Sequence, residues 1–250
     1  MGKKYAKPPL VEAVCEFRLS ENTIWDLTVA GLLYEKVSGS FPIKEQRLFQ
    51  DIDIIQTLQG VHQKIKTEER VFFFNKKRST FIQVGARLLA IVCLKPYPEW
   101  DGFKECINQS FNALRETVDI EGVNRLELRY KNRIKIPGDP GMKAVDLDNY
   151  FDYRPYLGSR LPQTMASLVM SVTLKFEGER DQCKILLNSA LAELSNHQTV
   201  ILDLDYSSIR SLSVPTEDID EWIITAHHNI ETVFEGCIKD PLRELFQEIK

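Results

Sequence analysis

Arg125, Arg129, Lys131, Arg133 and Lys135 recur at even spacing along residues 125–137, and Glu127 is the one acid in their row. Leu126, Leu128, Tyr130, Ile134 and Ile136 occupy the alternate positions. Side chains of an extended strand point to opposite faces with period two, so the pattern predicts a strand with one buried face and one cationic face. Cations at regular intervals suit a phosphate backbone, which requires only spaced positive charge, and aromatic platforms would add single-strand stacking. Lys76, Lys77 and Arg78, on a predicted hairpin loop, would add to that surface. The same row equally fits the solvent face of an antiparallel sheet, paired with carboxylates on neighbouring strands. Glu12 and Glu16 share one face of the first predicted strand and would meet Arg129 and Arg133 if the two strands are neighbours. Asn132 interrupts the apolar face beside Tyr130. A buried amide needs partners. Tyr130 and Asn132 are therefore read with Glu12 and Glu16 as a structural polar network, Asn132 clamping a loop or bulge.

Other residue types with chemical potential are scattered. Asp203 and Asp205 form a D-x-D on a predicted strand, with His197 shortly before, and Asp51 and Asp53 repeat the spacing. Two carboxylates on one face can hold Mg²⁺, but a complete site takes more ligands, so these are weak metal candidates and a solvated face is the preferred reading. His227 and His228 are adjacent on a predicted helix and point about 100° apart, which argues against joint ligation. Cys15, Cys93, Cys106, Cys183 and Cys237 are odd in number, and four of them lie among apolar neighbours, as expected for buried free thiols in a reducing cytoplasm. The sequence contains no C-x-x-C, H-E-x-x-H, G-x-S-x-G, Walker loop or G-x-G-x-x-G. No catalytic residue and no cofactor are assigned from these patterns.

The chain of 250 residues, with 43% hydrophobic and 27% charged residues, has the composition of a globular protein able to bury a sizeable core. A net charge of −4 confines any nucleic-acid surface to a local patch. No apolar run reaches the ~20 residues needed to span a bilayer, and the basic start Met1–Pro9 is not followed by a secretion-type apolar segment. A cytoplasmic protein without membrane contact is the expectation.

The elements that must position these residues follow from periodicity. An extended arm at Tyr5–Pro9 leads to a strand over Leu10–Leu19, and Ser20–Thr23 signals a helix with Ile24, Leu27, Gly31 and Tyr34 on its stripe. Residues 48–94 read as a meander, with strands over 48–58, 61–67, 70–74, 81–84 and 88–94. Pro98 opens a helix with Trp100, Phe103, Ile107, Phe111, Leu114 and Val118 on one side. After the central strand, Pro137–Gly141 breaks the chain, and Tyr150, Phe151, Tyr153 and Tyr156 are read as exposed aromatics in a connector. Three more strands, a turn at Ser195–His197 and a final helix with Ile219, Trp222, Ile223, Ala226, Ile230, Val233 and Phe234 on its stripe complete the chain. Gly236 and Pro241 are expected to interrupt that helix. The fold class is α+β. Both halves read as strand, helix, meander and long helix, which suggests curved antiparallel sheets each covered by a long helix, in lobes 1–120 and 121–250; one continuous sheet is the competing arrangement.

Four separated stretches carry a family resemblance. Pro8-Pro9-Leu10-Val11-Glu12-Ala13, Ile82–Gly85 through Lys95–Phe103, Arg129-Tyr130-Lys131-Asn132-Arg133-Ile134 and Phe234–Asp240 resemble, in order, segments of a sporadically distributed, uncharacterised bacterial family with a P-P-L-V-E-A start and an R-Y-x-N-R-I motif. The resemblance implies no activity. It implies a bacterial setting of mobile elements and antiviral defence, including CRISPR-type systems. Three functions are therefore carried forward. They are a non-enzymatic adaptor acting through protein partners encoded nearby, a nucleic-acid or nucleotide binder using the basic strand, and a metal-dependent enzyme at Asp203 and Asp205.

Overall fold

The computed structural model describes residues 3–57, 60–137, 147–161, 165, 167–190 and 197–249, with 50–57, 60–67, 177, 190 and 197 described by backbone alone. The predicted breaks at Gly138–Gly141 and Ser195–Asn196, and the side chains of Asp51, Asp53 and His197, lie outside the described residues. In chain order the elements are β1 (Lys4–Tyr5), β2 (Leu10–Leu19), α1 (Val29–Val37), β3 (Ile43–Thr57), β4 (Gly60–Phe74), β5 (Thr80–Gly85), β6 (Leu88–Leu94) and α2 (Glu99–Arg115). They continue as β7 (Val123–Pro137), β8 (Ser167–Phe176), β9 (Asp181–Ala190), β10 (His197–Ser208), α3 (Ile219–Cys237), α4 (Asp240–Phe246) and β11 (Glu248–Ile249). The architecture is α+β, and the chain forms two compact units, Cys15–Leu126 and Met1–Val14 with Glu127–Lys250. Strands β2 and β7 contribute residues to both.

In the unit Cys15–Leu126, β3, β4, β5 and β6 pair antiparallel in sequence order. Residues 61–74 form one uninterrupted strand rather than the two expected, and β3 begins at Ile43 instead of Leu48. Leu88–Cys93 is buried throughout, as its unbroken apolar run predicts. Helix α2 presents Phe103, Ile107, Phe111 and Leu114 inward, and Phe111 stacks on Phe17 of β2 at 4.5 Å between ring centroids. Helix α1 departs from its predicted phase. It starts only at Val29, because Asp26 accepts hydrogen bonds from the backbone and hydroxyl of Thr28 and holds residues 26–28 in a turn. Its buried residues are Val29, Leu33 and Val37, while Ile24 and Leu27 are exposed.

In the other unit β7, β10, β9 and β8 are neighbours in that order, each pair antiparallel. The N-terminal arm joins at β7, where the Arg133 amide donates to the Pro9 carbonyl at 2.9 Å. Helix α3 packs against β10 with Ile219, Trp222, Ile223, Ala226, Ile230, Val233 and Cys237 buried. It runs through Gly236, contrary to expectation, and ends where Ile238 turns extended; Pro241 sits in the first turn of α4, where its missing N–H costs nothing. Tyr5 is pinned between Phe234 and Phe246, and its hydroxyl donates to Glu235 at 2.6 Å. Arg243 binds the other oxygen of that carboxylate at 2.9 Å, so β1 and α4 both fasten to the end of α3.

All five cysteines are free, with Cys106 half-buried and the rest buried. Burial pushes the thiols of Cys106, Cys183 and Cys237 up to about 12. Only the thiolate is nucleophilic. The native chain is therefore expected to react slowly with iodoacetamide at neutral pH and to take up five equivalents once unfolded. Intact-mass measurement before and after denaturation checks this.

Candidate functional site

The site is built on β7 to β10 of the unit containing residues 127–250. Along β7 Leu128, Tyr130, Asn132, Ile134 and Ile136 are buried, and Arg129, Lys131, Arg133 and Lys135 point the other way. On β10, Val200, Leu202, Leu204 and Tyr206 continue the buried face. Register places Asp205 opposite Arg129, Asp203 opposite Lys131 and Ile201 opposite Arg133. The two carboxylates of the D-x-D thus lie within the cationic row.

Arg129 reaches diagonally to Asp203 and binds it in a two-pronged fork, Nε to Oδ1 at 2.9 Å and Nη2 to Oδ2 at 2.6 Å. Asp203 is buried to 5% exposure, so this fork supplies the charge and hydrogen bonds that a buried carboxylate requires. The hydrogen bond to Asp203 is also what pushes the guanidinium of Arg129 further up, its own burial opposing. A metal at Asp203 would have to displace that guanidinium. Among the described residues no group of three His, Cys, Asp or Glu side chains is placed to hold a metal ion.

The rest of the row is different. Lys131 is half-buried, Arg133 and Lys135 are exposed, and none of the three makes an ion pair among the described residues. Successive members stand two residues apart, or roughly 7 Å. Arg125 is half-buried and belongs, with Lys76, Lys77 and Arg78, to the other unit. Arg78 pairs with Glu45 and stands over the Phe74 ring at 4.8 Å. Arg47 over Phe72 and Arg70 over Phe49 repeat the arrangement at 4.8 Å each, so guanidinium groups lie over aromatic rings there. Lys76 and Lys77 are exposed. Glu16 pairs with Arg18 on its own strand at 2.7 Å, and Glu12 is half-buried.

Two polar clusters tie α3 to the sheet. Tyr130 Oη lies 2.9 Å from His227 Nδ1, and His227 Nε2 lies 3.3 Å from Glu231, while His228 is exposed. Asn132 donates to the Leu202 carbonyl directly across the ladder at 3.2 Å, so it clamps a neighbouring strand rather than a loop or bulge. The second cluster centres on Asp181, which is fully buried and accepts from Trp222 Nε1 at 3.0 Å, Arg180 at 2.8 Å and Tyr206 at 3.4 Å. Asn229 donates to the Tyr206 hydroxyl at 3.0 Å.

Glu231 is held below the usual glutamate range, chiefly by its hydrogen bond with His227 and against its own burial. A carboxylate depressed in the folded state adds stability above its unfolded pKa and loses it as the pH falls through the lower folded value. Glu231→Gln is expected to flatten the acid limb of the stability profile, below the ordinary glutamate value of about 4.3, with little change in its neutral-pH slope. Urea midpoints measured across that range test it.

Among the described residues, strand β8 forms the end of the sheet in this unit. Leu168, Met170, Val172 and Leu174 lie across from Ser189, Leu187, Ile185 and Cys183 of β9, on the face that α3 shares. Val172 and Leu174 are nevertheless 41% and 40% exposed, and Val169 on the other face is 71% exposed. The one charge on the strand, Lys175, pairs with Glu179 at 2.9 Å. The connector before β8 is less exposed than its sequence suggests. Phe151 is completely buried, Tyr150 and Tyr153 are half-buried, and only Tyr156, at 92%, is an exposed ring. Among the described residues no helix is long and apolar enough to cross a membrane. Comparison of the chain with protein-family models and with curated protein sequences returns no match.

Proposed function

We propose that the chain is a protein-binding module that receives an extended segment along the outer edge of β8. The observation that carries this reading is a ten-residue strand that ends the sheet among the described residues, with no proline, no net charge once Lys175 meets Glu179, and half-exposed Val172 and Leu174. Edge strands in soluble proteins are normally shortened, charged or covered, because unpaired backbone groups invite another strand. Strand addition uses those groups for affinity and the alternating side chains for selectivity. The recurrence of strand, meander and long helix in β2–α2 and in β7–α3 supports two lobes of similar plan, one of which presents this edge. Proteins encoded next to this one in a mobile-element or defence setting are the first partners to test, on the strength of the family resemblance.

The test is co-expression with those neighbours and purification with and without nuclease. A complex that survives nuclease and is lost in Val172→Lys supports the reading. A complex indifferent to that substitution overturns it.

A second reading, polyanion binding, draws on Lys131, Arg133 and Lys135, the cations of the row without an ion pair among the described residues. Binding of single-stranded nucleic acid should then weaken with salt, and the slope should fall by about 0.7 for each phosphate contact removed. Alanine at all three positions leaving the salt dependence unchanged would remove this reading.

A further inference from the structure

Building on the proposed use of the β8 edge, we infer that the segment it receives is β8 of a second copy of this chain, paired antiparallel about a two-fold axis through Val172. Successive side chains alternate faces, so symmetric pairing must join residues of like parity. With Val172 at the axis, Leu168 falls opposite Phe176, Met170 opposite Leu174 and Val172 opposite its own copy. Every residue of the α3-side face then meets an apolar partner. On the other face Val169 meets Lys175 and Ser171 meets Thr173.

Charge favours the same occupant. The strand carries a single lysine, already paired with Glu179, and the symmetric register keeps the two copies of Lys175 six residues apart along the ladder. That is roughly 20 Å, beyond the Debye length of about 8 Å at physiological salt. No like charges face one another, and no carboxylate or cation on β8 calls for an oppositely charged foreign strand. The ladder would run from residue 168 of one copy to residue 176, and pairing through the same patch on both copies closes the assembly at two chains, each β8 then paired on both sides among the described residues.

Sedimentation of the full chain over a concentration series, together with two variants, tests this. The wild type is expected to sediment with twice the mass of one chain. Val172→Lys puts two ammonium groups face to face at the axis and should return it to monomer, with an unchanged circular dichroism spectrum because position 172 is already 41% exposed. Val172→Cys should form an interchain disulfide on mild oxidation, identified by mass spectrometry as 172 to 172, whereas Val169→Cys, which faces Lys175, should not. A wild type that stays monomeric throughout overturns the second-copy inference. If that monomer still loses a nuclease-resistant partner in Val172→Lys, the edge reading stands with a foreign strand as occupant. A dimer that persists in Val172→Lys and yields no 172–172 disulfide also overturns the inference, by locating the interface elsewhere.

Discussion

Asp181→Ala is expected to destabilise the chain by about 3–5 kcal/mol, the usual cost of breaking a buried charged cluster from one side. Asp181 is completely buried and closes three interactions, with the Trp222 indole at 3.0 Å, Arg180 at 2.8 Å and the Tyr206 hydroxyl at 3.4 Å. Alanine strands the indole N–H of Trp222, itself only 2% exposed, inside the contact between α3 and the sheet. Asp181→Asn keeps an acceptor for that indole but surrenders the charge, and should cost less, about 1–3 kcal/mol. Trp222→Phe supplies the internal control. If the stranded donor dominates, Asp181→Ala should cost less when combined with Trp222→Phe than in the wild type, giving a coupling of at least about 1 kcal/mol in a double-mutant cycle. Urea denaturation of the wild type, the two single variants and the double variant measures every corner.

Arg129→Ala is expected to cost about 2–3 kcal/mol, the range for a lost hydrogen bond to a charged group that leaves its partner unsatisfied. The arginine is 39% exposed on its side chain and its partner Asp203 only 6%, so water can replace the guanidinium only in part, and the value lies below that of a fully buried pair. Asp203→Asn should be milder, because the amide retains one acceptor for the fork. Alanine at Lys131, Arg133 or Lys135 should instead stay within about 0.5 kcal/mol of wild type, as surface substitutions away from ion pairs do. Equal losses at 129 and 133 would mean that the row is energetically uniform, against the division drawn from the ion pairing.

Arg129 and Asp203 also show what a sequence makes visible. Read separately, one suggests phosphate and the other a metal; they are 74 residues apart, and each turns out to be the other's ligand. The period-two alternation of 126–136 was fully legible, because burial of one sheet face imposes it on every residue. Which carboxylates would meet the exposed face was not legible, because neighbouring strands alone do not decide it: β2 and β10 both lie beside β7, yet Arg129 binds Asp203 of β10 while Glu16 pairs with Arg18. The α2 and α3 stripes were plain in their central turns, although α2 ends at Arg115, before Val118, and Trp100 and Phe234 are only half-buried. The α1 stripe was misphased, because a three-residue turn anchored by Asp26 looks like the first turn of a helix until its hydrogen bonds are known. Phe151 was misjudged for a related reason. An aromatic residue in an irregular segment has no periodicity to declare its side, and here it is buried where the chain bridges to Ile238. The Asp181 cluster left no local signal at all, since its partners at Tyr206 and Trp222 lie 25 and 41 residues away. The β8 edge was similarly hidden: its alternation identified a strand, but only the order β7-β10-β9-β8 makes it the outer one.

Hydrogen exchange, followed on the chain alone and in a nuclease-treated complex isolated with its co-expressed neighbours, bears most directly on the proposed use of that edge. Protection gained across residues 167–176, with no change across 131–135, is the expected result, and it should appear with rising concentration of the chain alone if the occupant is a second copy. Protection gained at 131–135 while 167–176 exchanges as before would contradict it and move the functional surface to the basic row of β7.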